Sequence, residues 1–262
     1  MSAAGQAGEH AFVVVAYGRS PFLEGCLATL AAQTVRSRVV IATSTPSPDI
    51  AAAAERFGAE LRVNPRAEGI GADWNFGLAA TPARYVTLAH QDDTYRPAFL
   101  ERTLDLFARW PQGGVCFTGY DEVDDDGAVT SSKISRVKHL IEAAALGAGE
   151  TFRGGRLKPF LAFGNPLPCS SVTFDRVRLA EFRFSLDHQS NLDWDAWWRL
   201  ADGGETFLRS RERLVGRRHN PLTATSALIA SGRRRQEDLE MFRRIWPRPA
   251  ADLIAWLYRA GY

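Results

Sequence analysis

Phe12-Val13-Val14-Val15-Ala16-Tyr17-Gly18-Arg19-Ser20-Pro21 is the stretch from which the fold can be read. A short β-branched run stops at Tyr17-Gly18-Arg19, and Ser20-Pro21 then offers a helix N-cap followed by proline at the first helical position. Leu23, Leu27 and Leu30 follow at the spacing of one buried helical face. The order is strand, loop, helix, and it recurs. Arg38 to Thr43 reads as a second buried strand, Ser47-Pro48-Asp49 opens a helix that Gly58 closes, and Glu60 to Asn64 is a third strand. Ala72 to Ala80 reads as helix and Tyr85 to Ala89 as an apolar strand. Pro97 to Trp110 carries Leu100, Leu104 and Phe107 on one stripe, and Val115 to Thr118 is the next strand.

Parallel neighbours need crossover helices, so this alternation predicts an α/β fold with a mostly parallel sheet flanked by helices. In such sheets ligands gather beyond the carboxyl ends of the strands, where Tyr17, Thr43, Asn64 and His90-Gln91-Asp92-Asp93 emerge. After Thr118 the alternation fades. Asp121 to Gly127 reads as an acidic turn and Glu150 to Asn165 as an irregular loop. Pro168 to Phe174 reads as a strand, Leu192 to Ala201 as a helix ended by Gly203-Gly204, and Thr206 to His219 as containing a further strand. Two amphipathic helices, Gln236 to Ile245 and Ala250 to Ala260, complete the pattern.

With 262 residues, 45% hydrophobic and 24% charged, the chain can bury a full core and is not a disordered polymer. A net charge of +2 argues against a nucleic-acid binder. Cys26, Cys116 and Cys169 lack metal-ribbon or disulfide-framework spacing, which fits a reducing cytoplasm. Phe12 to Val15 is too short for a signal peptide or a membrane span, so no transmembrane segment is expected. His10, in an expected tail, His139 and His188 have no telling ligand spacing. Arg233 to Arg235 reads as a solvated helix entrance, with anionic lipid as the minority alternative, and Leu253, Ile254, Trp256, Leu257 and Tyr258 as a cover for the domain.

The sharpest local signal is Asp92-Asp93, directly after a buried strand. Two carboxylates projecting into a crevice suit a hard divalent cation that shares its other positions with substrate phosphate oxygens. The plainer alternative is an acidic turn before Arg96-Pro97.

Context favours the first reading. Val13 through Arg19, Leu30-Ala31-Ala32-Gln33-Thr34, Asn64 through Gly69-Ile70-Gly71-Ala72-Asp73-Trp74-Asn75, and His90 through Tyr95 together resemble a family 2 glycosyltransferase of the GT-A (Rossmann-like) fold. The resemblance implies a donor site bordered by Tyr17, Arg19, Thr43, Ser44, Asn75, His90, Gln91 and Asp92, with Asp92 and Asp93 as metal ligands. Leu192-Asp193-Trp194-Asp195 resembles the segment that carries the family's catalytic carboxylate. Asp193 falls at the matching position, and Asp195 is a substitute or supporting partner. Leu214 through His219 resembles the late strand and loop over the diphosphate, which adds Arg217 and Arg218 as phosphate contacts and His219 as a further metal ligand.

This sequence departs from the family pattern at three places. His90 stands where the family keeps an aspartate, Thr43-Ser44 stand where it keeps acidic residues, and Leu192 replaces a glutamate. The implied activity is inverting, metal-dependent transfer of a sugar from a nucleotide diphosphate donor to an acceptor hydroxyl, with Mg²⁺ or Mn²⁺ as cofactor. The acceptor is a glycan, a lipid-linked molecule or a small molecule, in polysaccharide, glycolipid or glycoside synthesis. The expected location is cytoplasmic, with peripheral membrane contact left open. The expected organisation is a tail over 1–11, a catalytic domain over 12–232 and a helical C-terminal extension over 233–262. The catalytic domain divides into a nucleotide-sugar half, 12–119, and an acceptor half, 120–232. Two alternatives stand beside it: a GT-A-like binding protein that has lost turnover, and a sugar nucleotidyltransferase, for which Tyr17-Gly18-Arg19-Ser20-Pro21 is a poor phosphate loop.

Overall fold

A computed structural model describes residues 7–130, 142, 145–218 and 228–258. The first half follows the expected alternation: β1 (His10–Ala16), α1 (Leu23–Ala31), β2 (Arg38–Thr43), α2 (Pro48–Phe57), β3 (Glu60–Val63), α3 (Ile70–Ala79), β4 (Tyr85–His90), β5 (Thr94–Tyr95) and α4 (Phe99–Arg109). The second half contains β6 (Val115–Val123), β7 (Val129–Thr130), β8 (Thr151–Arg153), α5 (Gly154–Leu161), β9 (Val172–Asp175), α6 (Leu192–Asp202), β10 (Thr206–Arg218), α7 (Arg233–Ile245) and α8 (Arg248–Tyr258).

The sheet runs in the order β3-β2-β1-β4-β9-β6-β10-β5, with β7 on β6 and β8 on β10. β3, β2, β1 and β4 are mutually parallel, as their crossover helices require. β9 is inserted antiparallel between β4 and β6, and β10 runs parallel to β6. The sheet is therefore the mostly parallel α/β sheet expected, and the strands ending at Ala16, Thr43, Val63 and His90 reach one edge together.

Both faces are buried because the strands carry apolar residues on both sides. Val13, Val40 and Leu88 pack with Trp74 of α3 and Trp197 of α6, while Phe12, Val14 and Ile41 pack with α1, α2 and α4. A third cluster, Trp194 with Met241, Phe242, Ala251 and Ala255, joins α7 and α8 to α6. The C-terminal helices thus extend the core. Among the described residues no helix is long and apolar enough to cross a membrane.

Local signals explain several boundaries and correct others. The Ser47 hydroxyl accepts the Ile50 N–H at 3.3 Å, and Gly58 closes α2 at φ 62°. Ser20 does not cap α1. Its hydroxyl accepts the Phe22 N–H at 3.2 Å in a turn, and the helix begins at Leu23. His10 is no tail residue. It is 1% exposed within β1, where Nδ1 meets the Ser37 hydroxyl at 2.8 Å and Nε2 the Thr87 hydroxyl at 2.9 Å. That burial, which disfavours the charged ring, lowers its pKa to about 3.

Asp121 lies inside β6 rather than in a turn, because Arg96 and Arg213 each bond its carboxylate at 3.1 Å, and the turn begins only at Asp124. Within 150–165 the expected loop is largely β8 and α5, which meets α6 so closely that a Cβ on Gly154 would sit 1.9 Å from the Ala201 carbonyl oxygen. Backbone cannot step aside as a side chain can. Gly154→Ala is expected to destabilise the protein by about 1–3 kcal/mol. The thermal midpoint should fall by roughly 2–12 °C, measured by circular dichroism, and an unchanged midpoint would contradict the close approach of α5 and α6.

Candidate functional site

The carboxyl edge of the parallel strands is organised by loop-to-loop hydrogen bonds. Gly18 adopts φ 59° and turns its N–H onto the Thr45 hydroxyl at 2.7 Å, joining the ends of β1 and β2. Gln91 joins the ends of β1 and β4: its Oε1 accepts the Tyr17 N–H at 3.2 Å and its Nε2 donates to the Tyr17 carbonyl at 2.9 Å. The Tyr17 side chain remains exposed. Arg19 lies at the rim, 89% exposed, with Asp49 at 3.4 Å. Thr43 is buried and accepts the Thr45 N–H at 3.0 Å, which makes it a turn-former. Ser44 donates to Asp73 Oδ2 at 2.7 Å, and Asn64 donates to Asp73 Oδ1 at 2.8 Å. The carboxylate at the ends of β2 and β3 therefore comes from α3, from a residue the sequence reading quoted but did not select.

Asn75, expected near the donor, instead holds a loop. Its amide donates to the Phe184 carbonyl at 2.9 Å and accepts the Phe184 N–H at 2.8 Å. Both ends of the side chain are thereby used.

His90, Asp92 and Asp93 form a tight turn at the end of β4, closed by the Asp93 N–H on the His90 carbonyl at 3.1 Å. A potential ligand atom from each lies within 4.8 Å of the others. His90 Nδ1 is 4.0 Å from Asp93 Oδ2, its ring rests 5.3 Å from that of Trp74, and its Nε2 is buried without a hydrogen-bond partner. An imidazole clustered with two carboxylates fits a divalent cation, since both are ordinary ligands of transition ions.

Asp93 is 2% exposed. Burial, then the neighbouring Asp92 charge, pushes its pKa up, while His90 and the Arg218 N–H oppose the rise. That N–H reaches Asp93 Oδ1 at 2.9 Å, so the end of β10 lies over the acidic turn. The pairing of Tyr95 with Val215 and of Thr94 with Gly216 sets this register.

Two expectations about charged groups are corrected. The Arg218 side chain, expected at the diphosphate, is engaged within the protein. Nε donates to the Asp92 carbonyl at 3.0 Å, a guanidinium nitrogen bonds the Asp124 carbonyl, and the group lies 4.2 Å from the centre of the Phe22 ring. It fastens the loop that bears the acidic pair. Asp195, considered as a substitute base, is 3% exposed and lies between Arg199 at 2.7 Å and Arg244 at 2.6 Å, tying α6 to α7. His219 lies outside the described residues.

Asp193 occupies the first turn of α6, partly buried, and accepts the Trp194 N–H at 2.9 Å. Burial raises its pKa, against the opposing influence of Arg234, the Trp194 N–H, Arg217 and Asn165. The buried Cys169 thiol connects this carboxylate to the acidic turn. Its pKa is pushed up by burial first, then by the charges of Asp193 and Asp93. α3 relates the two sites in space: Trp74 rests 5.3 Å from the His90 ring, and a Cβ on Gly71 would lie 3.0 Å from Leu192, the residue before Asp193.

Sequence reasoning missed Glu237. It is fully buried and accepts the N–H groups of Gln189, Ser190 and Asn191 at 2.9, 2.8 and 3.0 Å, ahead of α6. The available signal was its place one turn before Met241 on the inward face of α7.

Residues 11–164 match the family described as Glycosyl transferase family 2. No curated protein sequence matches the chain. Among solved structures, S. aureus TarS 1–349 in complex with UDP-GlcNAc is similar at a TM-score of 0.67 and 13% identity, covering 94% of this chain and 70% of that one. The mannosyltransferase PcManGT from Pyrobaculum calidifontis, in complex with GDP-Man and Mn²⁺, gives 0.67 and 16%, covering 95% and 69%. Glucosyl-3-phosphoglycerate synthase from Mycobacterium tuberculosis gives 0.56 and 15%, covering 88% and 80%. At these identities the likeness is one of fold, and the fold is GT-A.

Asp195→Asn is expected to lower stability by about 1–3 kcal/mol, because its two arginines lose a charged acceptor while remaining partly hydrated. Nucleotide binding should be unchanged. Denaturant titration and calorimetry check this, and lost binding at unchanged stability would restore Asp195 to the site.

Proposed function

Because the chain belongs to glycosyl transferase family 2, we propose that it transfers a sugar from a nucleotide diphosphate donor to an acceptor hydroxyl by a single inverting displacement. The observation that carries this reading is the cluster of His90, Asp92 and Asp93 at the end of β4, with α3 packed both on His90, through Trp74, and on Leu192, the residue before Asp193, through Gly71. The complexes of TarS with UDP-GlcNAc and of PcManGT with GDP-Man and Mn²⁺ support a nucleotide-sugar donor.

In this reading Asp193 accepts the proton of the acceptor hydroxyl. The acceptor oxygen forms its bond to the anomeric carbon as the bond to the nucleotide diphosphate breaks, with inversion and no covalent enzyme intermediate. A raised basicity suits that role, since a carboxylate of higher pKa is the stronger base. Asp92, Asp93 and His90 would hold the divalent cation, Mn²⁺ or Mg²⁺, with His219 from outside the described residues. When bound, the cation neutralises charge gathering on the leaving diphosphate. Arg217, at the end of β10 beside Arg218, is the arginine we assign to the diphosphate. Tyr17, Arg19, Ser44 and Gln91 line the strand ends where the nucleoside is expected. Residues 12–119 form the nucleotide-sugar half and 120–232 the acceptor half in this proposal. The acceptor is a glycan, a lipid-linked molecule or a small molecule.

Incubating the protein with Mn²⁺ and a panel of UDP-, dTDP- and GDP-sugars, then measuring nucleotide released with and without acceptors, tests the function. Nucleotide binding without release would reduce the protein to a binding module. Asp193→Asn is expected to lower transfer by at least about 100-fold while leaving donor binding intact; equal loss of both would remove it from the base role. For wild type, kcat should fall as pH drops through the Asp193 pKa, with its midpoint above the ordinary carboxylate range. Asp92→Asn and His90→Ala should each weaken Mn²⁺ binding in calorimetric titrations with UDP or GDP present.

A further inference from the structure

The strongest polar cluster outside the acidic turn lies between α7 and the start of α6. Glu237 is 0% exposed, yet its carboxylate accepts three consecutive backbone N–H groups, those of Gln189, Ser190 and Asn191, and Arg233 Nε at 2.8 Å. Burial alone would favour the neutral acid. The backbone donors and Arg233 overcome it, so the pKa is lowered and the group stays charged. Its neighbours on α7 hold the same segment: Asp238 accepts from Asn191 Nδ2 at 2.8 Å and Arg234 donates to the Ser190 hydroxyl at 3.1 Å. Asn191 itself makes no side-chain cap. The entrance to α6 is therefore fixed from another helix, and Asp193 is only two residues beyond it.

We propose that α7 belongs to the transfer site, with Glu237 as a positioning residue that fixes the backbone carrying Asp193 and Arg234 as a cation that sets the electrostatic surroundings of that carboxylate. This rests on Asp193 being the base. Arg234 of α7 bonds the Ser190 hydroxyl three residues before Asp193 at 3.1 Å and pairs with Asp238 at 3.6 Å; the other groups acting on Asp193 are Arg217 from β10, Asn165 after α5, Cys169 before β9 and the Trp194 N–H of α6 itself. Arg234 has the largest favourable influence on its charge. A base must be held in place as well as charged, and misplacement by about 1 Å can cost on the order of 100-fold in rate.

The test uses the full chain. Glu237→Gln, which replaces one acceptor oxygen with a donor facing N–H groups, should raise hydrogen exchange at the amides of Gln189, Ser190 and Asn191. It should also lower kcat at least about tenfold with an unchanged KM for donor. Met241→Ala, a cavity one turn further along α7, should lower the thermal midpoint without altering either. Arg234→Met should move the acid limb of the kcat profile to higher pH, whereas Arg234→Lys should leave it in place. Equal kcat losses in Glu237→Gln and Met241→Ala, or an unmoved limb in Arg234→Met, overturn the proposal. Should Glu237→Gln not fold, the Arg234 pair decides. A wild type that transfers no sugar defeats the reading of function, while the exchange experiment still decides whether Glu237 anchors the segment.

Discussion

A carboxylate removed from water must find donors, and the manner in which Asp93 does so holds the two halves of the molecule in register. Asp93 lies beside a second acid, so its burial is unfavourable twice over. His90 and the backbone N–H of Arg218, at 2.9 Å, offset part of that cost, while the Arg218 side chain bonds the carbonyls of Asp92 and Asp124. The end of β10 is thereby fastened to the end of β4, although β9 and β6 separate those strands in the sheet.

How far the sequence revealed this arrangement depended on whether a signal was local. β1, β2, β4 and their helices were readable because each strand is largely apolar and each crossover follows within a few residues, while β3, Glu60-Leu61-Arg62-Val63, is marked by the Gly58 stop before it. α1 was misplaced at its start because Ser20 has the residue type of a cap but closes a turn instead. The two-residue β5 has no period at all, and its existence depends on pairing with Val215 and Gly216 far along the chain. β6 looked shorter than it is because Asp121 resembles a turn residue until Arg96 and Arg213 are brought beside it by tertiary folding.

The candidate site divides in the same way. His90, Asp92, Asp93 and Asp193 were legible, since a polar run directly after a buried strand and a carboxylate at a helix start keep their meaning in isolation. Asn75, Arg218 and Asp195 were assigned by residue type, and each is spent on a structural partner that no spacing rule reveals. Asp73 and Glu237 were passed over for the converse reason. An acidic residue in a helix normally reads as solvated surface, and only the opposing elements, the strand ends for Asp73 and the 189–191 backbone for Glu237, show otherwise.

The start of α6 brings two demands into conflict. Its N-terminal N–H groups and dipole favour a negative charge there, and a side-chain cap from residue 191 would satisfy part of that need locally. Glu237 and Asp238 instead hold the 189–191 segment from α7, which leaves the first turn free to bear Asp193 but gathers several carboxylates near one helix end. Arginines 233 and 234 offset this charge, one bonded to Glu237 at 2.8 Å and the other paired with Asp238 at 3.6 Å. The basic run that looks like surface decoration in the sequence is, at its first two positions, the counter-charge of the buried Glu237 and Asp238. The C-terminal helices therefore cannot be removed as an appendage, because doing so would expose the Glu237 anchor and the apolar face of Trp194 together.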